Sequence, residues 1–165
     1  MTILKQVFFS SLLLFFLFSC KTSPEKYVLF QKGEGVPNHP RGLAVHENGL
    51  MVIAGHNGQI EIYSDLEKIK SFAIPDMEDI RDVEILNDSS IICMNSGNKG
   101  EIWRYFLSTD SLVNVYKADS VFLDGIAFWN NAAGICFGDP TKDKLTILRT
   151  SDSSKTWTPL DYNLI

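Results

Sequence analysis

Arg41, Arg81, Asp82 and Asp124 each stand at the head of a short apolar run, and His56 and Asp139 follow similar runs. A guanidinium matches a carboxylate through two parallel hydrogen bonds. Gathered in one place, with Asn57, Asn95 and Lys142 beside them, these side chains would clamp an anionic or polyhydroxylated ligand. Paired with one another, they would instead be ion pairs joining neighbouring structural units. Residue type alone leaves both readings open.

Other chemistries lack their parts. His39, His46 and His56 have no metal-ligand spacing. The acidic run Asp76-Met77-Glu78-Asp79, with Asp82 nearby, lacks the glycine and alternating oxygen donors of a calcium loop, and reads as a solvated loop. The chain carries no phosphate-cradling loop, no dinucleotide fingerprint and no nucleophile elbow. No metal, cofactor or catalytic residue is therefore expected. With 15 basic against 20 acidic residues, a net charge of −5 and no basic run, a nucleic-acid partner is not expected either.

Three cysteines divide into two kinds. Lys5 precedes an apolar run from Val7 to Phe18. That run is shorter than the roughly 20 residues that cross a bilayer as a helix, and has the size of a signal-peptide core. Leu17-Phe18-Ser19-Cys20 resembles a lipobox, which makes residues 1–20 a lipoprotein leader and Cys20 the lipidation site. Residues 21–35 read as a tether and an outer strand, Tyr27 to Gln31. The expected location is the bacterial cell envelope, with the lipid as the membrane contact and the domain facing the periplasm or the exterior. Cys93 and Cys136 sit inside apolar runs at equivalent places of neighbouring repeats. Backbones there are expected to lie farther apart than the roughly 4.4–6.8 Å that a disulfide spans, so both read as buried free thiols.

What positions these residues is a repeat of about forty residues. First strands begin at Arg41, Arg81 and Leu123, with Asp82 aligned on Asp124. Turn residues follow at 47–49, 87–90 and 130–131. Second strands run Leu50 to Ala54, Ile91 to Met94 and Ala132 to Phe137. Third strands run Gln59 to Tyr63, Glu101 to Tyr105 and Leu145 to Arg149. Weaker fourth strands run Lys68 to Ile74, Leu112 to Lys117 and Trp157 to Tyr162. Short strands, turns about every ten residues and no amphipathic helix predict an all-β architecture. Four strands per unit at this period predict the blades of a β-propeller, about 36–76, 77–119 and 120–165. A closed ring needs at least four blades. The remaining blades would come from a longer chain, this one being its N-terminal part, or from a second copy.

Thr150-Ser151-Asp152-Ser153-Ser154-Lys155-Thr156-Trp157 resembles the Asp-box (BNR repeat) of sialidase-like propellers. An aspartate there hydrogen-bonds nearby backbone amides to close a turn, and the tryptophan is a large apolar plug. Thr150, Asp152 and Trp157 are thus structural. Ser154 replaces the usual glycine, and Ser64-Asp65 looks like a decayed remnant in the first repeat. Phe122 to Trp129, Gly134-Ile135, Gly138-Asp139-Pro140 and Ile147 to Asp152 extend the resemblance to propellers related to the photosystem II assembly and stability factor, whose secreted members are often labelled oxidoreductases. The resemblance implies about seven blades. It implies a binding or assembly scaffold for a protein or glycan. The alternative is a sialidase-like glycoside hydrolase completed elsewhere, although Ala73-Ile74-Pro75 lacks the arginine of the sialidase Arg-Ile-Pro.

Overall fold

The structure, a computed structural model, describes residues 39–161 apart from 88, 142 and 143. Cys20, the leader, the tether with its outer strand, Lys142 and the end of the last expected strand therefore lie outside the described residues. No helix among the described residues is long and apolar enough to cross a membrane.

Among the described residues, twelve strands form three four-stranded antiparallel sheets, each a meander in chain order. The first blade holds β1 (Pro40–Val45), β2 (Leu50–Gly55), β3 (Gln59–Ser64) and β4 (Glu67–Ala73). The second holds β5 (Asp79–Leu86), β6 (Ser90–Ser96), β7 (Lys99–Phe106) and β8 (Ser111–Asp119). The third holds β9 (Leu123–Phe128), β10 (Gly134–Thr141), β11 (Lys144–Thr150) and β12 (Thr158–Pro159). Strand alternation sends successive side chains to opposite faces, and the middle blade shows the result. Ile91 and Cys93 of β6 join the apolar cluster with the first blade, whereas Ile92 and Met94 join the cluster with the third. Both faces of β6 are covered, which is why all of Ser90–Ser96 is buried.

Local chemistry sets the turns. Asp65 and Leu66 both take positive φ (48° and 71°), the two-residue hairpin geometry that suits the right-handed strand twist. Gly58, at φ 66°, lies so close to Ile74 that a Cβ there would come 2.6 Å from its carbonyl oxygen. The three turns joining third to fourth strands share one link. The amides of Asp65, Leu107 and Ser153 donate to the carbonyls of Gly49, Ser89 and Ala132, in the turn joining first to second strands.

Two expectations shift. The second strand of the third blade starts at Gly134 rather than Ala132, because Asn130 Oδ1 accepts from the amides of Ala132 (2.8 Å) and Ala133 (2.9 Å) and holds them in the turn. The repeat alignment also moves by one residue. Arg41, Arg81 and Asp124 each sit at the register break of the first strand of their blade. Asp124 is therefore the counterpart of Arg81, and Asp82 corresponds to Gly125. Cys93 and Cys136 remain counterparts, opposite Val83 and Ile126 on β5 and β9. Both are free and buried, and burial pushes each thiol up to about 12, the charges of Asp82 and Asp124 adding to the effect at Cys136.

Candidate functional site

The loops entering β5 and β9 share one end of the sheets with the β2–β3, β6–β7 and β10–β11 turns. Most of the residues singled out from the sequence are at that end, but they do not converge on one point. Arg41 Nε lies 3.4 Å from Asp79 Oδ2, and His56 Nδ1 lies 2.5 Å from Asp79 Oδ1. Arg81 Nη2 lies 3.4 Å from Asp124 Oδ1, and its guanidinium stands 5.7 Å from the Phe122 ring centroid. Asp82 accepts from two amides, Val83 (2.9 Å) in its own strand and Ile126 (3.0 Å) in the next blade. Each contact except Asp82 to Val83 crosses from one blade to the next or to its entering strand. These are the inter-blade pairs that the sequence left as one of two readings. Asp139 is exposed, its amide donating to Phe122 and its carbonyl accepting from Thr146.

Asp79 is the residue that sequence reasoning placed wrongly. It is not part of a solvated loop: it begins β5, and its mostly covered carboxylate joins Arg41 to His56. An acidic run next to a strand start conceals which carboxylate the strand will carry inward. Glu84, half-buried on β5, has its carboxyl raised by burial and then by the neighbouring charge of Asp82. Among the described residues no three His, Cys, Asp or Glu side chains gather as a metal site would require.

An open polar space is at the same end, between the loop entering β5 and the second blade. A cavity of about 720 Å³ is bounded by Asp76 and Glu78 of the loop entering β5, Asn95 and Lys99 around the β6–β7 turn, and Glu101, Trp103 and Lys117 on β7 and β8. Strand pairing builds its floor. Glu101 and Trp103 are two apart on β7 and share a face, and Lys117 of β8 is the cross-strand partner of Glu101. Lys117 Nζ lies 2.8 Å from Glu101 Oε1, while the Trp103 indole N–H donates to Oε2 (3.2 Å). The Glu101 amide donates to Asn95 Oδ1 (2.7 Å). Burial alone would raise the Glu101 carboxyl, but the hydrogen bonds from Lys117 and Trp103 outweigh it and leave it below its ordinary value. The same contact raises the Lys117 ammonium. Among the described candidate residues, Asn95 alone lines it. The Glu-x-Trp alternation of β7 was the signal available, and it reads equally well as packing.

The turn from Thr150 to Trp157 is a self-contained hydrogen-bonded unit. Asp152 Oδ1 accepts from the amides of Lys155 and Thr156 (both 3.0 Å) and from the Thr150 hydroxyl (2.9 Å), and Oδ2 accepts from the Thr156 hydroxyl (2.7 Å). The amides lie three and four residues ahead, not two. Burial raises the Asp152 carboxyl, but these donors more than reverse the effect and bring it from 3.8 to about 2. Ser153 and Ser154 both hold positive φ (63° and 62°), a conformation that serine adopts at a cost. Ser154 is fully buried and its hydroxyl accepts from the Trp157 indole (2.9 Å), a contact no glycine could make. Trp157 in turn packs edge-on against Phe128, 5.9 Å between ring centroids. Arg104 reaches this turn from the second blade. Its Nη1 donates to the Ser153 carbonyl (2.6 Å) and its Nη2 to the Ser90 hydroxyl (3.1 Å).

No family model matches the chain, and no curated protein sequence matches it. Solved structures do. The computationally designed Ika4 protein is similar at a TM-score of 0.59 and 15% identity, over 78% of this chain and 75% of that one. The WD40 β-propeller domain of Doa1 is similar at 0.56 and 16%, over 73% of this chain and 38% of that one. U3-55K is similar at 0.54 and 12%, over 66% and 32%. At such identities the likeness speaks for the fold alone. Together with the three meander sheets stacked through two apolar seams, it makes the described residues blades of a partial β-propeller. The chain spans about a third of the length of Doa1 and U3-55K structures it resembles.

Proposed function

We propose that this is a lipid-anchored propeller of the bacterial cell envelope that binds a glycan in the cavity between its second blade and the loop entering that blade. The observation that carries the reading is the lining of that cavity. Carboxylates (Asp76, Glu78, Glu101), an amide (Asn95) and ammonium groups (Lys99, Lys117) surround one indole, Trp103. Sugar hydroxyls both donate and accept, so they suit a mixed wall of acceptors and donors, and a ring's C–H face suits an aromatic surface. Ion pairing consumes Arg41, Arg81, Asp79 and Asp124 in the seams, so we assign these residues to ring geometry and the cavity to the ligand. A protein ligand on the same charged end is the second form of this scaffold role.

The turn from Thr150 to Trp157 supports assignment to the Asp-box class of sialidase-like propellers, the group that includes the photosystem II stability-factor relatives. The lipobox at Leu17 to Cys20 supports the anchor. We assign no catalytic residue.

Two measurements test this reading. The full chain is titrated with neutral, acidic and amino-sugar oligosaccharides, following tryptophan fluorescence and heat. Saturable binding that Glu101→Gln and Trp103→Ala each weaken at least tenfold is expected. Binding unchanged in both variants, or release of product from fluorogenic glycosides, refutes it. Incorporation of an alkyne-bearing fatty acid that disappears in Cys20→Ser is expected for the anchor; retention in that variant sinks that part.

A further inference from the structure

The two walls of the cavity differ in charge. On the β7–β8 ladder the cross-strand pairs alternate in sign: Lys99 stands opposite Asp119, and Glu101 opposite Lys117. That wall is neutral in sum, and Lys117 Nζ is held 2.8 Å from Glu101 Oε1. The loop entering β5 brings Asp76 and Glu78 to the other side, and among the described residues no cation pairs with either carboxylate. Arg41 and His56, from the first blade, are both engaged by Asp79, one residue further on. Glu78 reaches across toward the second blade, where its Oε2 would lie 3.5 Å from a Cβ placed on Gly97 of the β6–β7 turn. The surplus charge of the cavity is therefore negative, and it is concentrated on the loop.

The cavity also holds a donor without an acceptor. Asn95 is 7% exposed, and the Glu101 amide donates to its Oδ1, which fixes the NH2 group as the other branch of the side chain. No acceptor among the described residues meets that NH2 group. Nor is it sealed: among the described residues, Arg104 Nε is the side-chain polar atom shut from solvent with no partner. The Asn95 hydrogens thus open on the cavity that the residue lines. A buried donor left unpaired carries a cost that a bound acceptor removes.

We infer, building on the glycan reading above, that the sugar taken here is an amino sugar whose amine is free and protonated, with its ammonium seated against Asp76 and Glu78. Such a ring carries a hydroxyl beside the ammonium. It offers an acceptor to Asn95 and a cation to the loop, while its C–H face meets Trp103. Hydrogen bonds between charged partners are the stronger ones, and N-acetylation of the amine abolishes the charge they need. An acidic sugar meets two unpaired carboxylates, and like charges brought together at a binding surface are costly.

Oligomers on comparable backbones separate the charge from the sugar. Glucosamine oligomers, their N-acetylated forms and oligogalacturonate are each titrated into the full chain in mildly acidic, low-salt buffer, following tryptophan fluorescence and heat. Losing a hydrogen bond to a charged group reads as about tenfold in affinity or more, so the free-amine oligomers are expected to bind tighter than the N-acetylated ones by about that factor. Added salt should shrink the difference. Asp76→Asn with Glu78→Gln should abolish it with an unchanged circular-dichroism spectrum, since Asp76 holds φ 59°, a conformation that asparagine also adopts. Glu78→Gln alone, on an exposed side chain, should lower the difference and serves should the pair misfold. Equal affinity for free-amine and N-acetylated oligomers, tightest binding of the acid, or a preference that survives the double substitution each overturns the assignment. In those cases the glycan reading stands where Trp103→Ala still weakens whichever sugar binds. Failure of all three series to bind overturns both.

Discussion

Replacing Asp152 with asparagine should weaken the fold by an amount that depends on pH. The side chain keeps its shape but loses the charge and half of its acceptor capacity, against four donors from Thr150, Lys155 and Thr156. Lowering a carboxyl from 3.8 to about 2 has a ceiling of roughly 2.5 kcal/mol, at about 1.4 kcal/mol per tenfold in proton affinity. Asp152 is partly open to water, and solvent screening reduces this to about 1 kcal/mol. The sign follows from the folded carboxyl being the stronger acid. Its contribution is complete above the unfolded value near pH 4 and disappears as pH falls from there through about 2. Urea unfolding of the full chain at pH 7, 4, 3 and 2 measures this directly. With a slope of about 1.5 kcal/mol per molar, Asp152→Asn should lower the midpoint by roughly 0.7 M at pH 7 and by much less at pH 2. An equal midpoint at pH 7, or a difference that persists undiminished at pH 2, refutes the claim that the ionised carboxylate closes this turn.

Other substitutions probe the seams and the core. Arg104→Ala should cost about 2–4 kcal/mol by removing two hydrogen bonds from charged nitrogen, one across to the Ser153 carbonyl of the third-blade turn and one to Ser90 within the second blade. Arg104→Met, which refills the space without a buried charge, should cost less; equal losses in urea midpoint would contradict the role given to the guanidinium. Trp157→Ala should cost roughly 3–5 kcal/mol, and Trp157→Phe about 1, for the lost indole contact to Ser154. In a Cys20→Ser chain, Cys93 and Cys136 should resist a disulfide reagent at pH 8, since burial holds both thiols near 12, and should react together once urea unfolds the protein. Reaction of either at native rates would place it at the surface.

Much of the architecture was legible because a propeller blade is specified locally. Gln59-Ile60-Glu61-Ile62, Ser90 to Met94 and Glu101-Ile102-Trp103 alternate or run apolar, with turn residues between them, and each hairpin closes over a few residues. The site was less legible. The cavity floor depends on a cross-strand pair, Glu101 with Lys117, and on a loop from the preceding blade carrying Asp76 and Glu78. Neither relation has a fixed spacing along the chain. The slip that set Asp82 against Asp124 has the same origin: both are aspartates at strand starts, and only the register break reveals that Asp124 replaces an arginine.

The sequence by itself determined the strand order, the forty-residue period, the buried thiols and the turn built on Asp152, because these follow from side-chain alternation and short-range hydrogen bonding. Only the tertiary structure decided that Arg41 and Arg81 each pair with a carboxylate of the following blade, that Asp79 joins two blades, and which apolar side chains stay exposed. Those outcomes depend on how one sheet lies against the next, and the energy of a side chain there is set by partners forty residues away, whose direction no single strand encodes.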